Sequence, residues 1–489
     1  VTGTVLYERL TLSPAGLGAL VTKPARFVDV ELRVQGGGAC YGASSTDATG
    51  AYAINTTAPS GATLEVAVFS RTDGDPLRNV TVHDALPPGS NSHTNSNCFT
   101  AVSASLAAGS VANRDVTVPY NPGNPSSRPS IGFAVLDVLV TCVEAVRLAT
   151  GEVPPLCHGY TRLGNAGATG TSFYDHNARA LTILGGASGN LDNSDTDYFD
   201  DGVIAHEIHH FIEFNMGHAL NRGGPHGGKD IEPPFAWSEG ASTGFGCVLR
   251  NDPLYIDTVR TSPFPPQINA SVENWLPQPV RDIGSEETVS EIVWDLVDGA
   301  NGIADVDGDV AALLLTDLYP QYISFSPATD APYVGTLLDR LVDGGFISAV
   351  AMNTLLGSPE NQQIAYPLAG GDLWPVPIGP LDTVGGTCDW RTDISVRIRP
   401  ASVWYRFTLA STTVVTFDLT ITPTSAGGGD MGDNLDLYLL ALSGAVYDQS
   451  LNGGASAEQV GPILLDPGDY LVRVEANPGH HADFTLSGN

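Results

Sequence analysis

A three-domain chain of β, α+β and β type is predicted from three observations. Short alternating apolar and polar runs fill residues 1–120 and again 373–489, while residues 121–372 switch largely to helical periodicity. The 489 residues exceed one ordinary core at roughly 150 residues per domain. Fifty-five Gly and 34 Pro, with 42% apolar residues, fit turn-rich sheets that still bury real cores.

In the first segment, "FVDVELRV" and "TLEVAVFS" alternate between Gly, Pro and Asn-rich turns, the pattern of an antiparallel sandwich. "STDATGAYAINT" (45–56) puts a turn before a strand and is similar to the TDxxGxY turn of carboxypeptidase regulatory-like (transthyretin-like) sandwiches; any Gly-containing hairpin would also fit. The Pro-rich "VPYNPGNPSSRPS" (118–130) reads as a linker. Helical patterns follow at 131–150, 202–218, 236–250, 286–298, 309–318 and 334–356. Between the first two lies the strand-like "ALTILGG" (180–186), a candidate edge for pairing with an extended peptide. Helical periodicity stops within residues 370–390, and "SVWYRFTL", "VVTFDLTI", "LDLYLLAL" and "DYLVRVEA" then read as strands. "DNLDLYLL" with "LLDPGDYLVRVEA" resembles the prepeptidase C-terminal sandwich appended to bacterial secreted peptidases.

Charge narrows the partners. A net charge of -32 repels nucleic acid and anionic membrane surfaces alike. The longest apolar run, residues 131–150, carries Asp137, Glu144 and Arg147, so a buried or amphipathic helix is expected there and no membrane span. The chain starts at Val1 with no leader, and removal of one by processing is expected. Six Cys without a CxxC pair suggest up to three disulfides in an oxidising, extracellular setting; Cys40 with Cys98 and Cys142 with Cys157 are the pairs nearest in the chain.

"DDGVIAHEIHHFIEF" (200–214) gathers three of the chain's 11 His and a Glu into five residues. Positions i and i+4 share a helix face, so His206 and His210 can bring two imidazoles to one cation with Glu207 beside them. "GVIA" and "FIEF" supply the apolar positions of a buried helix, and Asp200 and Asp201 suit its positive end. A solvated polar helix is the plainer alternative. His209 is also a helical neighbour of His206, at i+3. His210 is preferred as ligand because Glu207 then stands between two ligands as a base, which leaves His209 to support the site or fill the core.

Zinc takes a third protein ligand and keeps one position open for water. Glu213 and Met216 occupy the places where a metzincin would carry Gly and His, which excludes that pattern. "FAWSEGASTGFG" (235–246) puts Glu239 at the start of a new helical pattern, 29 residues after His210. This HExxH with a downstream WSEG resembles the gluzincin plan of secreted bacterial, fungalysin-like and thermolysin-like metallopeptidases. "VSEIVWDLVDGANG" (289–302) resembles the helix that follows the third ligand there. The resemblance implies a zincin-like catalytic domain over residues 121–372, with His206, His210 and Glu239 as zinc ligands and Glu207 as general base. One position departs from it: Thr243 stands where an Asp commonly orients a zinc histidine in those families, so support for the ligands must be built otherwise.

His226, in the Gly-rich "NRGGPHGGKDIEPP" (221–234), is open to three readings: an alternative third ligand, a catalytic donor to the transition state beside Glu207, or a surface histidine. Tyr319 and Tyr322 are further candidates to stabilise an oxyanion. Acidic loops around Asp192, Asp195 and Asp197, around Asp305, Asp307 and Asp309, and at Asp433 and Asp436 suit Ca²⁺ or plain solvation. The expected activity is extracellular, zinc-dependent hydrolysis of peptide bonds in a protein or peptide substrate. The competing expectation is a surface or adhesive assembly protein, self-associating through its sandwiches around a silent or latent core.

Overall fold

The computed structural model describes residues 1–89, 91–93, 98–109, 112–121, 127–165, 170–188, 190–221, 226, 231–259, 265–273, 282–300, 311–357, 364–368, 374–389, 401–422, 434–453, 456–477 and 480–489, the side chain of residue 192 excepted. The chain is multidomain and mixed α/β, with many sheets and seven α-helices among the described residues. It divides into two compact units, Val1–Asn215 with Phe245–Ser271, and Met216–Gly244 with Val272–Asn489.

In the first unit, Thr2–Ser13 pairs antiparallel with Gly16–Pro24 and Ala51–Ala53 and parallel with Val116–Val118. Its odd positions Val5 and Tyr7 are fully buried and its even ones are half-exposed, as the alternation predicts. A second sheet runs Cys40–Ser45, Asp29–Val34, Thr63–Phe69, Thr100–Val102. The turn read at residues 45–56 forms through Asp47, whose Oδ1 accepts from the backbone N–H of Thr49 (2.8 Å) and Ala51 (3.0 Å). Gly50 there has φ +78°, and a Cβ would sit 2.4 Å from the Val5 carbonyl oxygen, so only glycine fits.

The third sheet has the order Phe173–Asp175, Ala180–Ile183, Cys157–Thr161, Val80–Asp84. This corrects the expectation for "ALTILGG". Ala180–Ile183 is hydrogen-bonded on both sides, antiparallel to Phe173–Asp175 and parallel to Cys157–Thr161, so it has no free edge to offer a peptide. Strand order is a long-range property that local alternation does not encode. Val80–Asp84, from the first 120 residues, pairs parallel with Cys157–Thr161. Helix α1 (Ser130–Thr150) is held to the same early residues: Tyr7 Oη donates to Asp137 at 2.9 Å, Arg26 donates to Asp137 at 2.6 Å, and Arg78 pairs with Glu144 at 2.6 Å. The charges that interrupt the long apolar run are therefore ion-pair partners. Among the described residues, no helix is long and apolar enough to cross a membrane.

The expected disulfides are absent: no bond joins any of the six cysteines, all of which lie among the described residues. Cys40 is exposed on a strand paired with Asp29–Val34, whereas Cys98 bridges to His83. Cys142, Cys157, Cys247 and Cys388 are buried and act as small apolar side chains, with burial pushing the Cys142 thiol up to about 12.

A histidine cluster that the sequence reading did not foresee lies in this unit. His83 Nε2 and His158 Nδ1 are 3.0 Å apart, His93 stacks on His158 with ring centroids 3.7 Å apart, and His93 Nδ1 lies 2.8 Å from Tyr160 Oη. Burial holds His83 down to about 4 and His158 to about 3, with the neighbouring imidazoles adding to the effect. Between those values and the ordinary 6.5, the unfolded chain binds more protons than the folded one, so stability falls as pH drops through that window. Thermal midpoints measured from pH 7 to pH 4 should therefore decline, and His158→Asn should flatten the decline; a midpoint independent of pH, or an unchanged slope in the variant, contradicts the neutral cluster.

In the second unit, α3 (Pro233–Arg250) contributes its residues 233–244, followed by α4 (Glu286–Asp295), α5 (Leu315–Ile323), α6 (Val334–Asp343) and α7 (Ala349–Leu356). The helical pattern expected over 334–356 is broken at Gly344 and Gly345, the latter with φ +73°, and Ser348 caps a new helix through the Ala351 N–H. The pattern expected over 309–318 becomes a helix only from Leu315. Residues 305, 307, 309 and 433 lie outside the described ones, and Asp436 is buried in the strand Leu435–Ala441. At the C-terminal end, two sheets share one apolar core that includes Phe407, Phe417, Leu437, Val472 and Phe484.

Candidate metal centre

Helix α2 (Asp201–Met216) carries the motif, and its start is fixed from three directions in the first unit. Asp201 pairs with Arg9 at 2.9 Å, and Arg9 also donates to the Phe199 carbonyl at 2.9 Å. Asp200, fully buried, accepts from the backbone N–H of Thr258 at 2.7 Å and from its hydroxyl at 3.0 Å. Gly202 brings the helix against the strand Leu254–Asp257, where a Cβ would lie 3.3 Å from Tyr255 Cα. The acidic residues expected to serve the helix end electrostatically thus also fasten it in place.

On α2, His206 and His210 turn their Nε2 atoms to within 3.0 Å of each other. His206 and Glu207 are buried and His210 is half-buried. Glu213 brings a carboxylate oxygen to 3.9 Å from His210 Nδ1, one helical turn on. His209 is fully buried, its ring stacks on Phe245 of α3 at 5.1 Å, and burial holds its pKa well below the ordinary value.

In the second unit, Glu239 is buried near the N-terminal end of α3. Asn221 Nδ2 donates to Glu239 Oε1 at 2.9 Å and to Ser238 Oγ at 3.0 Å. His226 Nε2 lies 3.5 Å from Glu239 Oε2, and His226 Nδ1 bonds Glu286 Oε2 of α4 at 2.8 Å. His226 is exposed, and its imidazole stands between two carboxylates. Asn221 and Glu286 were missed; neither motif nor spacing marks them, and Glu286 stands 60 residues from its partner. Tyr319 and Tyr322 are buried on α5, where Tyr322 packs edge-on against Trp237 at 5.7 Å.

A second group of acids stands near the start of α2. Ligand oxygens of Asp195, Asp197 and Asp257 lie within 4.8 Å of one another. Burial, then the charges of Asp195, Asp200 and Asp257, push the Asp197 carboxyl well above its usual range. Burial and Asp195 push Asp257 up to about 6. Asp257 was not a sequence candidate, since it is 60 residues from Asp197 and isolated in its own segment.

No family model matches the chain, and no curated protein matches it. Among solved structures, the chain is similar to the pre-peptidase C-terminal domain of collagenase from Bacillus anthracis, at 15% identity and a TM-score of 0.18, over 23% of this chain and 93% of that one. It is also similar to PliG of Aeromonas hydrophila, a periplasmic lysozyme inhibitor of g-type lysozyme, at 15% identity and a TM-score of 0.15, over 23% and 93%. A third likeness is to the Yersinia pseudotuberculosis-derived mitogen, at 12% identity and a TM-score of 0.16, over 22% and 84%.

Proposed function

We propose that the chain is a secreted zinc metallopeptidase of gluzincin type, in which His206, His210 and Glu239 hold the metal and Glu207 is the general base. The observation that carries this reading is the pair of imidazole Nε2 atoms 3.0 Å apart on one buried helix face, with the buried Glu207 next to the first of them. Two imidazoles turned to one point are the nitrogen part of a tetrahedral zinc site. Glu239, buried near the start of α3, is the third donor in this reading. Its helix also packs on α2: Phe245 of α3 stacks on His209, and Gly246 lets the two backbones approach, since a Cβ there would stand 3.1 Å from the Ala205 carbonyl carbon.

Bound zinc supplies Lewis acidity and lowers the pKa of a coordinated water towards about 7. The rest falls to the protein's own side chains. Glu207 accepts the proton of the attacking water and returns it to the leaving amine. Asn221 holds the Glu239 carboxylate in one orientation and Glu213 stands beside His210. Glu286 fixes His226 through its Nδ1, so the other ring nitrogen faces the Glu239 side, where it could donate to a developing oxyanion. The strand Phe173–Asp175 is bonded only to Ala180–Ile183 among the described strands, and its outer edge suits an extended peptide backbone.

The test is metal analysis beside casein hydrolysis on the purified chain. About one zinc per chain is expected, with hydrolysis lost on treatment with a zinc chelator and regained when zinc is restored. A chain that takes up no zinc after its addition would sink the reading.

A further inference from the structure

We propose that Asp195, Asp197 and Asp257 form an oxygen-only site for a divalent cation of the calcium class, distinct from the histidine pair on α2. All three belong to the first unit, and the proposal does not depend on the peptidase reading.

Three carboxylates meet here within 4.8 Å, and the central one is deeply placed: Asp197 is 3% exposed. Its Oδ2 accepts from the Ser172 hydroxyl, while its Oδ1 has no hydrogen-bond partner. Oδ1 of Asp195 and Oδ1 of Asp257 are likewise buried without a donor. A buried carboxylate oxygen without a partner costs free energy, and three of them together add mutual repulsion. An ordinary acidic surface cluster exposes its oxygens to solvent, whereas one oxygen of each of these carboxylates is buried. A hard divalent cation satisfies all three at once, and an all-oxygen donor set selects calcium over zinc. The remaining calcium ligands would be backbone carbonyls and water, as is usual for that ion.

The placement gives such a cation a structural task. Asp197 opens the short 3-10 turn Asp197–Phe199 that leads into α2, and Asp257 ends the strand Leu254–Asp257. The same two segments are already joined by Asp200 and Thr258. A cation between Asp197 and Asp257 would close that junction and hold the end of the helix that carries His206 and Glu207.

The experiment uses the full chain, dialysed against a chelator and then into calcium-free buffer with zinc restored, and titrated with CaCl2. Calorimetry and thermal unfolding are followed for the wild type, Asp197→Asn and Asp257→Asn. For the wild type, about one calcium per chain is expected, with the midpoint raised by about 5 °C at a hundredfold excess over Kd. Each Asn variant should melt above the wild type in calcium-free buffer, because one charge of the repelling set is gone, and should show no calcium-dependent rise. Two results overturn the proposal: a wild type with neither heat nor shift in millimolar calcium, whose carboxylates then hold protons in place of a metal, or variants that respond to calcium as the wild type does. Since none of these readouts is hydrolysis, failure of this site and failure of the peptidase reading remain distinguishable.

Discussion

Glu207→Gln is expected to lower casein hydrolysis by about 10²- to 10⁴-fold while leaving zinc content and thermal midpoint unchanged. The amide keeps the size of the carboxylate and removes its basicity. The proposed ligands His206, His210 and Glu239 are untouched, so metal binding should survive. The helix is anchored at its start by Arg9, Thr258 and the glycine contact at residue 202, none of which involves Glu207. Zinc uptake by both proteins with hydrolysis only in the wild type fits a general base. Equal hydrolysis by the two would remove Glu207 from the chemistry. Zinc in both with hydrolysis in neither would favour the silent or latent core of an extracellular assembly protein.

The largest loss of stability is expected from Gly240→Val. A Cβ at Gly240 would stand 2.4 Å from the Glu286 carbonyl oxygen and 2.6 Å from Val289 Cβ, and one turn on, a Cβ at Gly244 would stand 2.8 Å from the Ser290 carbonyl oxygen. The two glycines let α3 and α4 approach backbone to backbone, and Ser290 Oγ seals the contact by donating to the Gly240 carbonyl at 2.9 Å. Because the nearest obstacle is a backbone carbonyl and Val289 Cβ is fixed by its own backbone, no rotamer change relieves them. Overpacking of this kind costs about 3 kcal/mol. The same displacement would draw Glu286 away from His226. Chemical denaturation should show a clearly lower midpoint, and the NMR signals of the His226 ring should move. A variant with wild-type stability would mean that α4 does not sit this close to α3.

The His206, Glu207, His210 set was legible because its information is local: one helical turn fixes the spacing, and the apolar residues on either side fix the face. The helix observed, Asp201–Met216, differs from the reading by one residue at its start and two at its end. Glu213 is equally local, three residues past His210, and the same periodicity could have found it. The break in the 334–356 pattern was written in its paired glycines. Other features depend on which distant segments meet. The partnership of His226 with Glu286, of Asp197 with Asp257, and the interior place of Ala180–Ile183 are set by tertiary packing, and short-range patterns are blind to it. The cysteine count misled for a related reason: even numbers suggest bridges, but four of the six thiols fill apolar interiors.

The parallel pairing of Val80–Asp84 with Cys157–Thr161 bears on how this protein is made and inherited. The sheet beside α1 is complete only when a strand synthesised early waits for one that leaves the ribosome some seventy residues later, so the leading β region is not a finished module when the Pro-rich stretch emerges. A shortened chain starting after that stretch would bare one side of Cys157–Thr161, leaving a row of unpaired backbone groups open to aggregation. It would also strip Asp137 of Arg26 and Glu144 of Arg78, leaving Glu144 with Arg147 at 3.6 Å. The natural seam for recombining this region with other proteins therefore does not lie at the Pro-rich stretch, however much the composition there invites a cut.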